Sequence, residues 1–170
     1  EILGPLLRAE RTVTMGAMKT PLILPPASFA AGRVRVHELG LDLPESPIRL
    51  VTDADLLDAL AVPGETDHKY TRGVAGLVAG SDTYPGAGLL AVLGAQAAGP
   101  GMIRLDAPRR VEDLVLARAP GVVTSGGRIQ AGLVGPGMDA DTEQACRELA
   151  RFCASSGLPL IIDAGALGLV

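Results

Sequence analysis

The sequence has no tryptophan, only two phenylalanines and only two tyrosines among its 170 residues. Its core therefore has to be assembled from Ala, Val, Leu and Ile, whose modest volumes let helices sit close on a sheet. Basic residues are short as well: 15 Lys and Arg stand against 19 Asp and Glu, a net charge of −4. Without a basic patch, and with almost no rings to stack bases on, nucleic acid is not an expected partner. Cysteine is scarce too. Cys146 and Cys153 lie seven apart in a helical pattern, which reads as two reduced thiols on one buried face. No histidine shares their segment, so no metal site is expected there. Reduced thiols fit a cytoplasmic setting. Finally, there is no unbroken apolar helix of membrane length. Thr83 to Ile103 is uncharged, but Pro85, Pro100 and five glycines interrupt it, so no membrane span is expected. The chain starts at Glu1 with no charged lead into an apolar stretch, so no signal peptide is read.

What is present is a mixture of apolar runs and turns. The chain is 48% hydrophobic and 20% charged, which excludes disorder by composition. Its 22 glycines and 13 prolines call for many turns. Arg11 to Gly16 and Gly32 to His37 alternate as short strands do, with the apolar, Pro-rich Leu22 to Ala27 between them. They look like the closing strands of another domain. Thr52 to Leu60 reads as a short capped helix. The polar stretch Ala61 to Arg72 reads as a linker.

From Gly73 a rhythm sets in. Gly73 to Ala79 is a continuous apolar run of strand length, as a strand buried on both faces requires. A glycine-rich loop follows, then a helix over Ala87 to Ala98 that is apolar nearly all round and so is expected to be covered on both sides. Gly101 to Leu105, Val115 to Ala117 and Ala131 to Val134 read as further strands. Asp141 with Gln144 has the spacing of a capping box. The helix after it carries Ala145, Cys146, Leu149, Ala150 and Cys153 on one face and stops at Gly157. Leu158 to Ile162 is the last strand and ends at Asp163. Strand, glycine loop and helix recur, which predicts a parallel sheet with crossover helices and a ligand edge beyond the strand ends.

Three places on that edge could carry chemistry. In Ala79-Gly80-Ser81-Asp82-Thr83-Tyr84-Pro85-Gly86-Ala87-Gly88, the glycines allow close backbone approach, and the following helix start offers free N–H groups to an anion or nucleotide. The alternative is a turn capped locally by Ser81 or Asp82. Gly135-Pro136-Gly137 is either an anion nest or a tight turn. Asp163 at a strand end could orient a substrate, hold a metal or cap the next helix. His37 and His68 have no Ser or Cys partner at a recognisable spacing and read as structural or solvated, and Lys19 stands alone as a candidate.

His68-Lys69, Gly80-Ser81, Tyr84, Gly86-Ala87, then Gly99-Pro100-Gly101-Met102-Ile103-Arg104, then Val134-Gly135-Pro136-Gly137, then Asp163-Ala164-Gly165-Ala166-Leu167 resemble, in order and spacing, the N-terminal half of the ADP-dependent NAD(P)H-hydrate dehydratases. Gly165 stands where that family often has a second Asp, and Pro100 where it has Ala. Arg8 to Lys19, Gly32 to Val36 and Leu39 to Leu41 resemble the tail of an NAD(P)H-hydrate epimerase, which many bacteria fuse ahead of the dehydratase. The resemblance implies an α/β, ribokinase-like parallel sheet with helices on both faces over residues 73–170. Ahead of it come the tail of a Rossmann-like domain over 1–50 and a linker over 51–72.

The implied activity is repair of hydrated nicotinamide nucleotides, with ADP (or ATP) and Mg²⁺ for the dehydratase and K⁺ for the epimerase. Ala87 and Gly137 would touch the substrate, NADHX or NADPHX. Gly80, Ser81, Gly86 and Gly135 would form the cradle, with Asp163 beside it. The family's catalytic Asp and its nucleotide segments, like the potassium ligands, fall outside these residues, so no catalytic residue is assigned within 1–170. A homo-oligomer is expected. Two other readings remain open: a ribokinase-like kinase of a small metabolite, and a non-catalytic remnant.

Overall fold

A computed structural model describes residues 6–60 and 62–169. Residues 1–5, Ala61 and Val170, which the sequence assigns to the leading tail, the linker and the end of the second domain, lie outside the described residues. The chain divides into two compact units, Glu1–Leu57 and Asp58–Val170.

In the first unit both expected strands form. β1 (Arg11–Met15) and β2 (Arg33–His37) pair in parallel, with Arg11 opposite Arg33 and Met15 opposite His37. A parallel pair needs a crossover. Residues 16–32 supply it, with a 3-10 turn at Thr20–Leu22 and the single-turn helix α1 (Ser28–Ala31). The Thr12 hydroxyl donates to the Ala31 carbonyl at 2.6 Å and ties β1 to the end of α1. The Lys19 ammonium donates to the carbonyls of Met15 and Ala17, so this cation is spent on backbone. A further helix, α2 (Asp53–Ala59), runs across the division at residues 57 and 58 and starts where Thr52 and Asp55 bond reciprocally: the Thr52 N–H and hydroxyl donate to the Asp55 carboxylate, and the Asp55 N–H donates to the Thr52 hydroxyl.

The second unit is a four-stranded, wholly parallel sheet in the order β4-β3-β5-β6, made of β3 (Val74–Val78), β4 (Met102–Asp106), β5 (Ala131–Val134) and β6 (Leu160–Ile162). Successive strand residues face opposite sides. Leu77, Ile103 and Leu105 pack with Val92 of α3 (Pro85–Ala97) and with Val111 and Val115 of α4 (Arg109–Arg118). Val78 and Val134 pack instead with Cys146 of α5 (Glu143–Ser156). Helices thus cover both faces, α3 and α4 on one side and α5 on the other. Both thiols are buried, which pushes each above its ordinary pKa.

Three expectations are corrected. Val115 to Ala117 is not a strand but the middle of α4. Val111 and Val115, four apart, are both fully buried, while Arg109 pairs with Asp113 at 2.8 Å on the exposed side. The strand-like neighbour of β4 is Val123, which bridges Arg104 in parallel. The helix α3 is not covered on both sides: only Gly88 and Val92 are buried in it, and Leu90 is 71% exposed. Asp141 and Gln144 form no capping box. Gln144 donates to Glu148, and the turn before α5 is organised by Asp139.

Candidate functional site

The strand order positions the site. From β3 the chain moves outward to β4, and from β5 it moves outward the other way to β6. β3 and β5 are therefore the neighbours at which the winding reverses, and a crevice opens beyond their C-terminal ends. The two glycine loops lie there side by side. The Gly80 N–H donates to the Pro136 carbonyl at 2.7 Å. Gly137 takes φ +69° and lies so close to Ala87 that a Cβ on it would meet the Ala87 methyl at 2.5 Å and Gly80 Cα at 3.2 Å. Gly135, at φ +110°, lies against the Asp163 carbonyl, so a Cβ there would overlap that oxygen. Main chain approaches main chain at Gly80, Gly135 and Gly137, while the space at Gly88 is taken by a Val111 methyl and the Ala79 carbonyl. Gly86 differs: a Cβ on it would point into open space at the first turn of α3.

The side chains divide in the same manner. Ser81 is fully buried, and its hydroxyl oxygen accepts the Tyr84 N–H at 3.1 Å, a local turn bond. Asp163 is exposed and makes no side-chain hydrogen bond with a described residue. It stands with Ala87 and Pro136 at the rim end of a groove of about 910 Å³. The groove runs along the α3 side of the sheet past Leu90, Leu133 and Ile161. At its far end Arg72 donates to the Gly99 carbonyl at 2.7 Å. The resembling His68-Lys69 and Arg104 positions are occupied locally. His68 Nδ1 accepts the N–H groups of Tyr70 and Thr71, and Lys69 lies 5.0 Å from the Tyr70 ring centre. Arg104 donates to the carbonyls of Ser125 and Gly126.

Residues 75–170 match the NAD(P)H-hydrate dehydratase family. The chain belongs to that family. It is 39% identical over 172 residues to the bifunctional NAD(P)H-hydrate repair enzyme Nnr of Mycobacterium tuberculosis, a match covering 98% of this chain and 34% of the relative. The Synechocystis enzyme of the same name is 30% identical, with 98% and 36% covered. The chain thus spans about a third of the length of these curated relatives. Among solved structures it is similar to an ADP/ATP-dependent NAD(P)H-hydrate dehydratase from Bacillus subtilis, crystallised with ATP and Mg²⁺, at 29% identity and TM-score 0.59, covering 68% of this chain and 46% of that one. A ribokinase-like superfamily protein from Enterococcus faecalis, at 20% identity and TM-score 0.65, shares the fold.

Within this dehydratase-family unit, two residues escaped the sequence reading. Thr83 and Asp139 are 56 positions apart, yet the Thr83 hydroxyl donates to Asp139 Oδ2 at 3.1 Å across the two loops. Desolvation would raise the Asp139 carboxyl, but the hydroxyls of Ser81, Thr83 and Thr142 and the Thr142 N–H outweigh it and hold the group below the usual carboxylate value. The one signal available was local: an Asp three residues before a Thr at a helix start is an Asx-turn pattern.

Proposed function

We propose that this chain is part of a bifunctional nicotinamide nucleotide repair enzyme. On this reading residues 73–170 are the N-terminal part of an ADP-dependent (S)-NAD(P)H-hydrate dehydratase, residues 1–50 the tail of an epimerase domain, and residues 51–72 the link. Family membership supports the reading, and one structural observation carries it: Ala87, Pro136 and Asp163 share the rim end of an open groove at the reversal of strand order. Its volume of about 910 Å³ is within the range of small-molecule sites.

In the proposed reaction, the ring hydroxyl of the hydrate attacks the terminal phosphorus of ADP and AMP departs. The C–O bond then breaks, phosphate leaves with the bonding electron pair, a proton is lost, and the reduced nicotinamide is restored. Phosphorylation turns a poor leaving group into a good one. The residues here bind and orient. Ala87 and Gly137 form the wall against the substrate, and Gly86 leaves room at the first turn of α3; Pro85 has no N–H and the Ala87 N–H donates to the Tyr84 carbonyl, so the Gly86 N–H is the donor this turn offers to an anionic phosphate. Gly80, Ser81 and Gly135 hold that wall from behind, and Asp163 stands beside it. Among the described residues no three His, Cys, Asp or Glu side chains come together. ADP, Mg²⁺ and the epimerase's K⁺ belong, in this proposal, to the parent enzyme, which we take to be a cytoplasmic homo-oligomer.

The test is thermal unfolding of the 170-residue chain with (S)-NADPH hydrate, NADPH or small sugar-like metabolites. A hydrate-specific rise in midpoint, growing with ligand concentration as linkage requires, is the expected result. A rise with a metabolite and none with the hydrate would overturn the proposal in favour of a small-metabolite kinase. No rise with any ligand would leave the chain a non-binding remnant.

A further inference from the structure

The loop after β3 (79–84) and the loop after β5 (135–142) are joined through backbone and through one carboxylate, which the Ser81 hydroxyl faces as well. One link is backbone, from the Gly80 N–H to the Pro136 carbonyl. The other runs through a single carboxylate. Asp139 Oδ1 accepts the N–H groups of Asp141 and Thr142 at 3.2 Å each and the Thr142 hydroxyl at 3.1 Å. Asp139 Oδ2 is left to accept the Thr83 hydroxyl. One oxygen fixes the carboxylate on its own loop, and the other holds the opposite loop. Thr83 itself is exposed and sits two residues before α3 begins, so whatever restrains Thr83 restrains the first turn of that helix, where Gly86 and Ala87 lie.

We infer that Asp139 is a positioning residue: through Thr83 it sets where the first turn of α3, with Ala87, stands relative to Gly137. The functional half of this inference rests on the rim being the hydrate site; the structural half does not. The groups facing Asp139 are the hydroxyls of Ser81, Thr83 and Thr142, with no cation among them. The carboxylate is therefore kept charged by hydroxyl and N–H dipoles, and as an ionised acid it is an acceptor only. Removing either partner leaves the other able to bond to water, so the loss falls on loop order and leaves the core untouched. Glycine-lined loops have few side-chain contacts of their own to restore that order.

The experiment compares Thr83→Val, Asp139→Ala, Asp139→Asn and the Thr83→Val/Asp139→Ala pair in the 170-residue chain. Amide hydrogen exchange over residues 80–88, affinity for (S)-NADPH hydrate and the urea midpoint are read together. Thr83→Val and Asp139→Ala are each expected to speed exchange over 80–88 and to weaken hydrate binding by about threefold to tenfold. The double variant should be no worse than the more severe single one, as for two residues acting through one bond. Asp139→Asn keeps an acceptor oxygen and should recover most of both losses. Thr83→Val lies on the surface and should leave the urea midpoint unchanged. Unchanged exchange in Thr83→Val, or losses that add in the double variant, would overturn the inference. If the parent chain binds no hydrate, the proposed function fails alone, because exchange over 80–88 still decides whether the carboxylate holds the loop.

Discussion

The helices α3 and α5 do the same topological job, each carrying the chain from one parallel strand to the next, yet their sequences are built on different plans. Helix α5 is amphipathic: Cys146 and Cys153 are buried on one side, Gln144, Glu148 and Arg151 stand exposed on the other, and Glu143 and Arg147 lie at the border. Helix α3 has no charged residue at all, and its burial is confined to Gly88 and Val92. An apolar residue facing water, such as Leu90, is ordinary when single. Here Leu90 faces the same groove as Ile161, itself 62% exposed, and the groove ends at the glycine rim. The polar face of α5 marks a surface meant for water. The uniformly apolar face of α3 marks one side of a concavity, and in the proposed reading the rim end of that concavity receives the substrate.

The largest effect that would break this comparison comes from a single charge placed on each side of α3. Val92→Asp puts a carboxylate among Leu77, Ile103 and Val115, with no partner. It should cost about 4 kcal/mol, enough to leave a marginally stable unit largely unfolded. Leu90→Asp, two residues away on the open side, should change stability by less than about 0.5 kcal/mol. Urea unfolding followed by circular dichroism measures both. Equal losses would show that the groove side of α3 is as closed as the sheet side.

How much of this was legible beforehand depends on whether the signal was local. A strand buried on both faces must be apolar throughout, so β3 and β5 stood out as runs bounded by glycine, and their loops marked the rim. Helix α4 is hidden in the sequence because Val115-Leu116-Ala117 is strand-like by itself; the partner that makes it helical, Val111, lies four residues back. Exposure of α3 could not be read from its composition, since an all-apolar helix announces burial whatever lies beside it. The role of Asp139 was out of reach for a different reason. Its turn is local, but its link to Thr83 exists only once β3 and β5 are adjacent, and no spacing rule brings residues 83 and 139 together. The glycines were legible as close approaches; that most of them serve loop against loop is a packing result.

A smaller effect separates the glycines themselves. Gly135→Ala needs a Cβ where the Asp163 carbonyl oxygen sits, at a φ of +110° that side chains avoid. A loss of about 2 kcal/mol or more is expected. Gly86→Ala meets nothing and lies in the first turn of a helix, so it should be neutral or gain about 0.5 kcal/mol by narrowing the unfolded ensemble. In hydrate binding the order should reverse in meaning, since Gly86→Ala leaves the fold intact while adding a methyl to the proposed cradle. A weaker hydrate-induced thermal shift without loss of stability would therefore assign Gly86 to the ligand side.

The smallest effect tests the border of the polar face of α5. Glu143 accepts from Arg147 at 2.7 Å, one helical turn on, and both side chains are about two-fifths exposed. The acid precedes the base and sits in the first turn, so pair and helix dipole act in the same sense. Exposure and side-chain entropy work against them, and Glu143→Gln should cost only about 0.3–0.5 kcal/mol. The cost should shrink as salt is raised, because the Debye length falls to about 3 Å at 1 M. A loss that exceeds 1 kcal/mol and persists in salt would mean that Glu143 is shielded from water by something packed on that face. The water-facing description of α5, and with it the contrast to α3, would then fail.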